Sequence, residues 1–381
     1  MKYLKQLKQF QEMLGQVSDV AFLPVSADLQ YLTGVPRSIP NFGAVLHPGA
    51  WLEGAWFTAK HEPILALSRM SAEFGGLSNL DGVKMHILGD WDDPAQIVKG
   101  FLDGFELPEK PRVAIGDRTL GETVANLNSL LPGATFVSAT NMLRQLRVIK
   151  SEDEINSMRK AGKITEAAFA SVCDQLKHGM TELDIVTEVD YQLRKHGSLG
   201  PSFTTSLYNS GPNHPLLFGQ QEATWKRVLT PPVSILFDFG AILDGYCYDF
   251  GRTVFFGEPD EEFRRVYQLV MDSQAAGIAA MRAGKVKASE VDAAARRVIA
   301  DAGYGDEFRH RLGHSIGLDV HEPPFLTSGD DTVLQEGMLF TVEPSITQFD
   351  TFSARVEDVV VVRTDGGEPL TSGFRDLLVI D

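Results

Sequence analysis

The chain has 381 residues, 43 % of them hydrophobic and 23 % charged, and a formal net charge of −16 at pH 7. That length accommodates two domains, and the balance is that of a globular, enzyme-sized protein. The negative charge excludes a general nucleic-acid binder, because it would repel phosphate, and suits a protein that holds cations. Two cysteines, Cys173 and Cys247, are too few for a disulfide framework or a thiolate metal site, so a reducing cytoplasm is the expected setting. No apolar run approaches the roughly 18 residues of a membrane span, and no membrane partner is expected.

The N-terminal stretch MKYLKQLKQFQEML reads as an amphipathic helix with charges throughout rather than a signal peptide. Residues 19–25 (DVAFLPV), 43–48 (GAVLHP) and 112–117 (RVAIGD) read as buried strands, with a helical pattern at DPAQIVKGFLDGF. Residues 1–145 are thus expected to form an α/β domain of their own, and 146–381 a second one, with the boundary near LRQLRVIKSEDEIN. There Ser151 and Glu154 make a capping box. The helix it starts carries Ile155, Met158, Ala161, Ile164 and Ala168 at helical spacing and is expected to end near Gly179. Thr181 can cap a second helix running to Gly197. Residues 234–253 (SILFDFGAILDGYCYDFGRT) read as two strands turning at Asp244 and Gly245. The order then recurs: a long helix over 260–284, a shorter one over 288–303, and strands over 337–346 and 353–362. Residues 151–257 and 258–381 each read helix, helix, strand, strand, which is either an internal repeat or a coincidence of common elements.

Four carboxylates interrupt these apolar strands, Asp238 and Asp249 in the first set, Glu343 and Glu357 in the second. Solvent or backbone groups could satisfy any one of them at a strand end. Together, on buried strands, they would repel one another and raise each other's pKa, and divalent cations would offset that repulsion directly. His314, in RLGHSIGLDVHE, is a fifth candidate: Gly313 and Gly317 let the backbone approach closely, and His321 follows, ahead of Glu322 and Pro323. Oxygen-rich ligation with a single imidazole favours Mn²⁺, Co²⁺, Fe²⁺ or Zn²⁺ over Cu⁺. Carboxylates shared by two metals define a site that activates water and clamps the reacting oxygen.

The set DFGAILDGYCYDFGRT, GHSIGLDVHE, GMLFTVEP and RVED resembles the pita-bread metallopeptidases. SADLQYLTGVPR, at 26–37, is similar to the extra N-terminal domain of the creatinase, prolidase and aminopeptidase P branch. The resemblance implies an α+β architecture: a C-terminal pita-bread domain with a pseudo-twofold repeat, preceded by a smaller α/β creatinase-like domain. It implies that Asp238, Asp249, His314, Glu343 and Glu357 hold two divalent ions, Mn²⁺ foremost, with Asp249 and Glu357 bridging them. A hydroxide between the ions would attack the scissile carbonyl, Glu343 would handle the proton, and His321 would stabilise the oxyanion or hold the substrate. Arg355 would orient Glu357 from behind, or else form a surface ion pair on an edge strand.

Two positions depart from the family pattern. In SGPNHPLLFG, Phe218 stands where the family has a histidine that assists substrate binding and proton transfer. His214, four residues earlier, either replaces it or is a loop histidine. Phe325 follows HEPP where some prolidases carry an arginine that grips a dipeptide's carboxylate. Phe218, His321 and Phe325 are accordingly expected against the substrate, in a pocket more apolar than a standard prolidase's. The expected activity is metal-dependent hydrolysis of the Xaa-Pro bond at the N-terminus of dipeptides or short peptides, by a cytoplasmic homodimer. The alternatives are the same fold and metals acting on a small non-peptide amide or a lyase substrate, and a binding module that has lost catalysis.

Overall fold

The computed structural model describes residues 3–37, 47–77, 80–215, 217 and 219–380. They form two compact units, Met1–Arg147 and Val148–Asp381. No described helix is long and apolar enough to cross a membrane.

The first unit runs α1 (Leu4–Val17), β1 (Val20–Pro24), α2 (Ala27–Thr33), β2 (Gly54–Phe57), β3 (Ile64–Ser68), α3 (Arg69–Phe74), β4 (Lys84–Leu88), α4 (Pro94–Gly104), β5 (Arg112–Ile115), α5 (Gly121–Leu130), β6 (Thr135–Ser138) and α6 (Thr140–Arg147). Its six strands make one mixed sheet in the order β4-β3-β2-β1-β5-β6. β1 lies inside that sheet, antiparallel to β2 and parallel to β5, which is why Val20, Ala21, Phe22 and Leu23 are all apolar and buried. Phe22, Trp56 and Phe101 pack their rings in sequence over this core, at 4.7 and 6.3 Å. The Ser26 hydroxyl accepts from the Leu29 N–H to start α2, and Gly34, at φ +78°, ends it. The strand expected over 43–48 falls, apart from its last two residues, outside the described residues; His47 and Pro48 belong to no strand.

The second unit runs α7 (Glu152–Cys173), α8 (Glu182–Lys195), β7 (Ser206–Ser210), α9 (Gln221–Lys226), β8 (Val233–Phe239), β9 (Ile242–Leu243), β10 (Tyr246–Cys247), β11 (Phe250–Phe256), α10 (Glu261–Ala280), α11 (Ala288–Asp301), β12 (Gly313–Ser315), β13 (Glu322–Leu326), β14 (Leu339–Val342), β15 (Ser345–Gln348), β16 (Phe352–Arg355), β17 (Asp358–Val362), β18 (Gly367–Pro369) and β19 (Leu378–Ile380). Its two larger sheets have the orders β19-β11-β8-β7 and β13-β12-β14-β17-β18, and β9 with β10 and β15 with β16 form two-stranded sheets. A helix pair precedes each set of strands, α7 with α8 and α10 with α11, so the order repeats across the unit.

Local chemistry starts these helices. The Ser151–Glu154 capping box opens α7, and Thr181 with Asp184 opens α8 in the same way. α7 buries Ile155, Met158, Ala161 and Ala168 as expected, but the inward position of the intervening turn is Thr165, with Ile164 only half-buried. The helix ends at Cys173, short of Gly179. Phe169 projects from it into a cluster with Phe237, Phe239 and Phe250, ring centroids 5.4–6.3 Å away. Burial of each such ring contributes roughly 1.5–3 kcal/mol.

Asp238 lies within its strand, but the strands are broken where Asp249, Glu343 and Glu357 lie. β8 and β11 pair with Asp238 opposite Gly251. Between them the chain makes the small β9–β10 hairpin, turning at Asp244 (φ +53°) and Gly245 (φ +85°), the two left-handed positions of a tight two-residue turn. The run over 337–346 is not one strand: it splits at Glu343 and Pro344 into β14 and β15, since proline offers no N–H to the ladder. The run over 353–362 splits likewise at Val356 and Glu357, into β16 and β17. Gly251 and Glu357 exchange backbone hydrogen bonds of 3.4 and 2.9 Å, and this bridge joins the two halves of the unit.

Candidate metal centre

The two halves meet around a cleft of about 730 Å³ in the second unit. Asp238, Asp249, His314, Glu343 and Glu357 all line it. A ligand atom from each of Asp249, His314 and Glu357 lies within 4.8 Å of the others. The His314 Nε2 stands 3.5 Å from Asp249 Oδ2 and 3.5 Å from Glu343 Oε1. Asp238 enters the group through Arg355, whose Nη1 is 2.8 Å from Asp238 Oδ2 and 3.7 Å from Glu343 Oε2.

The side chains are held for this purpose. His314 Nδ1 lies 3.1 Å from the Ser315 carbonyl, to which it can only donate, leaving Nε2 as a bare lone pair aimed at the carboxylates. The Phe250 N–H donates to Asp249 Oδ1 at 3.0 Å, and the Thr341 hydroxyl donates to Glu343 Oε1 at 3.2 Å. Glu357 Oε2 is buried with no hydrogen-bond partner. Gly251 is needed beside it: a Cβ there would stand 2.9 Å from both Cβ and Oε2 of Glu357.

Burial and mutual repulsion set the electrostatics. Burial first, then the charge of Asp238, pushes the Asp249 carboxyl well above the carboxylate range. Burial and the charges of Asp249 and Glu343 do the same to Glu357. Burial also raises Glu343, against the pull of Arg355 and His314. Burial works against the Arg355 charge, but Glu343, Asp238 and Glu357 outweigh it and raise its pKa. Four carboxylates face this one guanidinium, and its single charge cannot balance them. A buried carboxylate oxygen without a donor, an imidazole fixed with its lone pair inward and an excess of negative charge suit divalent cations with oxygen and nitrogen ligands.

The remaining expected residues divide. His321 lines the cleft and packs edge-on against His314, ring centroids 4.2 Å apart; burial and the neighbouring His314 lower its pKa to about 4. Phe325 also lines the cleft, but the wall there is not simply aromatic, because the Arg311 guanidinium lies 4.8 Å over its ring. Arg355, its side chain 14 % exposed, forms no surface pair and is not hydrogen-bonded to Glu357: it bonds Asp238, inside the carboxylate group. His214 does not line the cleft; its Nε2 accepts from the Thr230 N–H at 3.0 Å, in a buried turn. Phe218 lies outside the described residues.

Sequence reasoning overlooked two groups. His310 lines the cleft, with Nε2 2.6 Å from the Ser345 hydroxyl and 3.4 Å from Arg355 Nη2. Its place four residues before His314 was the available signal. Beneath the site, Arg252 is 1 % exposed, donates to the carbonyls of Gly251 and Glu357, and pairs with the buried Asp358 at 2.7 Å. An arginine in an otherwise apolar strand was the signal there.

A model of metallopeptidase family M24 matches residues 156–364. The chain is 31 % identical over 367 residues to the putative dipeptidase YkvY of Bacillus subtilis (strain 168), covering 94 % of this chain and 95 % of that protein. It is 37 % identical over 305 residues to an Xaa-Pro dipeptidase of Lactobacillus delbrueckii subsp. lactis, covering 76 % and 81 %. Among solved structures, a dipeptidase from Pyrococcus horikoshii OT3 superposes with TM-score 0.86 at 29 % identity, covering 98 % of this chain and all of that one. A prolidase from Thermococcus sibiricus gives 0.87 at 26 %, each chain fully covered. Fold and site together define a metallohydrolase of pita-bread architecture with a smaller N-terminal domain. The chain belongs to metallopeptidase family M24, whose chemistry uses divalent metal ions.

Proposed function

We propose that the chain hydrolyses the bond between an N-terminal residue and proline, with two divalent ions held by Asp238, Asp249, His314, Glu343 and Glu357. The observation that carries this reading is the buried meeting of these side chains at the joint between the halves, with Glu357 Oε2 left without a donor. The names of the relatives, Xaa-Pro dipeptidases among them, favour a peptide substrate over the small-amide alternative. Divalent cations held there would polarise the scissile carbonyl and acidify water. The oxygen-rich ligand set, with its single imidazole, favours Mn²⁺, Co²⁺, Fe²⁺ or Zn²⁺, and the four carboxylates place Mn²⁺ first.

The chain's own residues would divide the work. Glu343, steadied by Thr341 on one oxygen and facing Arg355 with the other, would carry the proton from water towards the leaving nitrogen. His321, neutral well below physiological pH, would donate a hydrogen bond to the developing oxyanion without adding a charge beside the metals. Arg355 would hold the Asp238 carboxylate in place. The rings of Tyr208, His310 and Phe325 would pack on the apolar proline ring, and an X–Pro amide has no N–H that such walls would leave unsatisfied. A homodimer and a cytoplasmic setting complete the reading on the family resemblance. Metal content of the purified protein, then turnover of Ala-Pro, Gly-Pro and a longer Xaa-Pro peptide with added Mn²⁺, tests it. Bound metal with no cleavage of any of them would overturn the substrate, and absence of metal after Mn²⁺ loading would overturn the site.

A further inference from the structure

A second cavity, of about 460 Å³, lies beside the cleft in the same unit, and Tyr208, His310 and Arg355 line both. Leu207, Leu236 and Phe349 make its walls apolar. Asn209 lines it from β7, the edge strand of its sheet. This side chain is 1 % exposed, and neither its amide nitrogen nor its amide oxygen has a hydrogen-bond partner. The Glu182 carboxylate, bonded to Arg227 at 3.0 Å, also draws on the Asn209 amide nitrogen, so Asn209 Oδ1 is the atom left wholly unmet. Arg227 Nε is buried without a partner as well. Folded proteins rarely leave such groups unmet, since each costs about 1–3 kcal/mol. One asparagine amide carries the donor and the acceptor that pair with a single peptide group.

An enzyme that releases the residue before proline has one residue on the amino side of the scissile bond. Any further length of substrate lies on the carboxyl side. We propose that the side cavity receives the residues that follow proline in peptides longer than a dipeptide, with Asn209 pairing with the peptide group beyond the proline. The apolar walls take the third side chain. Arg309, which lines the cavity with its guanidinium 4.4 Å over the Phe349 ring, meets the carboxylate of a tripeptide. This inference rests on the Xaa-Pro peptidase reading.

The test compares kcat/KM of the Mn²⁺-loaded enzyme on Ala-Pro, on Ala-Pro-Ala, and on the same tripeptide with its second peptide link replaced by an ester. Asn209→Leu is expected to lower turnover of the tripeptide about tenfold, the worth of one buried hydrogen bond, and to leave the dipeptide unchanged. The wild type is expected to prefer the amide to the ester, and the variant to lose that preference, which a merely structural role for Asn209 would not produce. Thr347→Trp, which fills the cavity, is expected to depress the tripeptide alone, and it decides the matter if Asn209→Leu does not fold. Equal losses on both substrates, an unaffected tripeptide, or a surviving amide preference in Asn209→Leu would overturn the inference while leaving the peptidase reading intact. Failure of the wild type to cleave either peptide would overturn that reading, and the inference with it.

Discussion

Glu357 is 1 % exposed, has an oxygen with no donor, and feels the charges of Asp249 and Glu343, so its ionised form depends on a cation. Glu357→Gln keeps the shape and removes the charge. We expect activity at saturating Mn²⁺ to fall about a hundredfold or more, bound metal measured by mass spectrometry to drop, and the metal-free variant to melt above the metal-free wild type. A variant that binds and turns over normally would remove Glu357 from the site. His214 makes the opposite kind of prediction. Burial, with the nearby Arg227 charge, lowers its pKa to about 4 from 6.5. The unfolded chain therefore takes up a proton here before the folded one does, so stability contributed above pH 6.5 is lost as the pH falls towards 4. His214→Gln, whose side-chain oxygen can still accept from Thr230, should flatten the decline in Tm between those values and leave kcat/KM at pH 8 unchanged. A steep loss of kcat/KM would restore His214 to catalysis. The site carboxylates were legible because each is a charge inside an apolar run, and His314 because glycines flank it. His310 was harder to read: its one signal is its place four residues before His314, in a polar stretch, RHRLGH, where a histidine interrupts nothing.

Among the elements, the sequence disclosed helix starts better than strand ends. Ser151 with Glu154 and Thr181 with Asp184 are local signals whose partners lie three residues away, and the structure forms both boxes. The divisions between β14 and β15 and between β16 and β17 depend on partners far along the chain. GMLFTVEPSI reads as one strand because hydrophobicity continues on both sides of Glu343; Pro344 was the only mark of the break. These divisions matter, because they take Glu343 and Glu357 out of their strands' ladders, bonding Glu343 to Leu312 and Glu357 to Gly251, where the carboxylates face inward. Gly251 faces one of them. In Gly251→Ala the new methyl would press on Cβ of Glu357 and stand 3.2 Å from Arg355 Cδ. We expect folding to survive with a loss of about 1–3 kcal/mol. Mn²⁺ affinity, read by titration calorimetry, should weaken about 10–100-fold, the scale seen when a ligand's support is disturbed. Unchanged affinity would show that Glu357 can yield freely.

For the second unit as a whole, Arg252 ties together what the site divides. Its guanidinium binds the carbonyls of Gly251, Glu357 and Gly373 and the carboxylate of Asp358, which Arg375 and Gln274 also hold. Arg252→Met should cost about 3–5 kcal/mol by urea denaturation, as expected when one partner of a buried pair is removed. A loss below about 1 kcal/mol would mean that Arg375 and Gln274 suffice for Asp358. The repeated order of helices and strands could be read from the chain, but this network could not, since it joins residues about a hundred positions apart.

The Gly251–Glu357 bridge has one more implication. Asp238 and Asp249 arrive from the earlier half, and His314, Glu343 and Glu357 from the later one, so neither owns a complete set of donors. A divalent cation held there would act as a clasp across the seam, and its retention would report whether the two lobes have closed on each other. A chain severed at the connection between them would show tight uptake only after its fragments had reassociated.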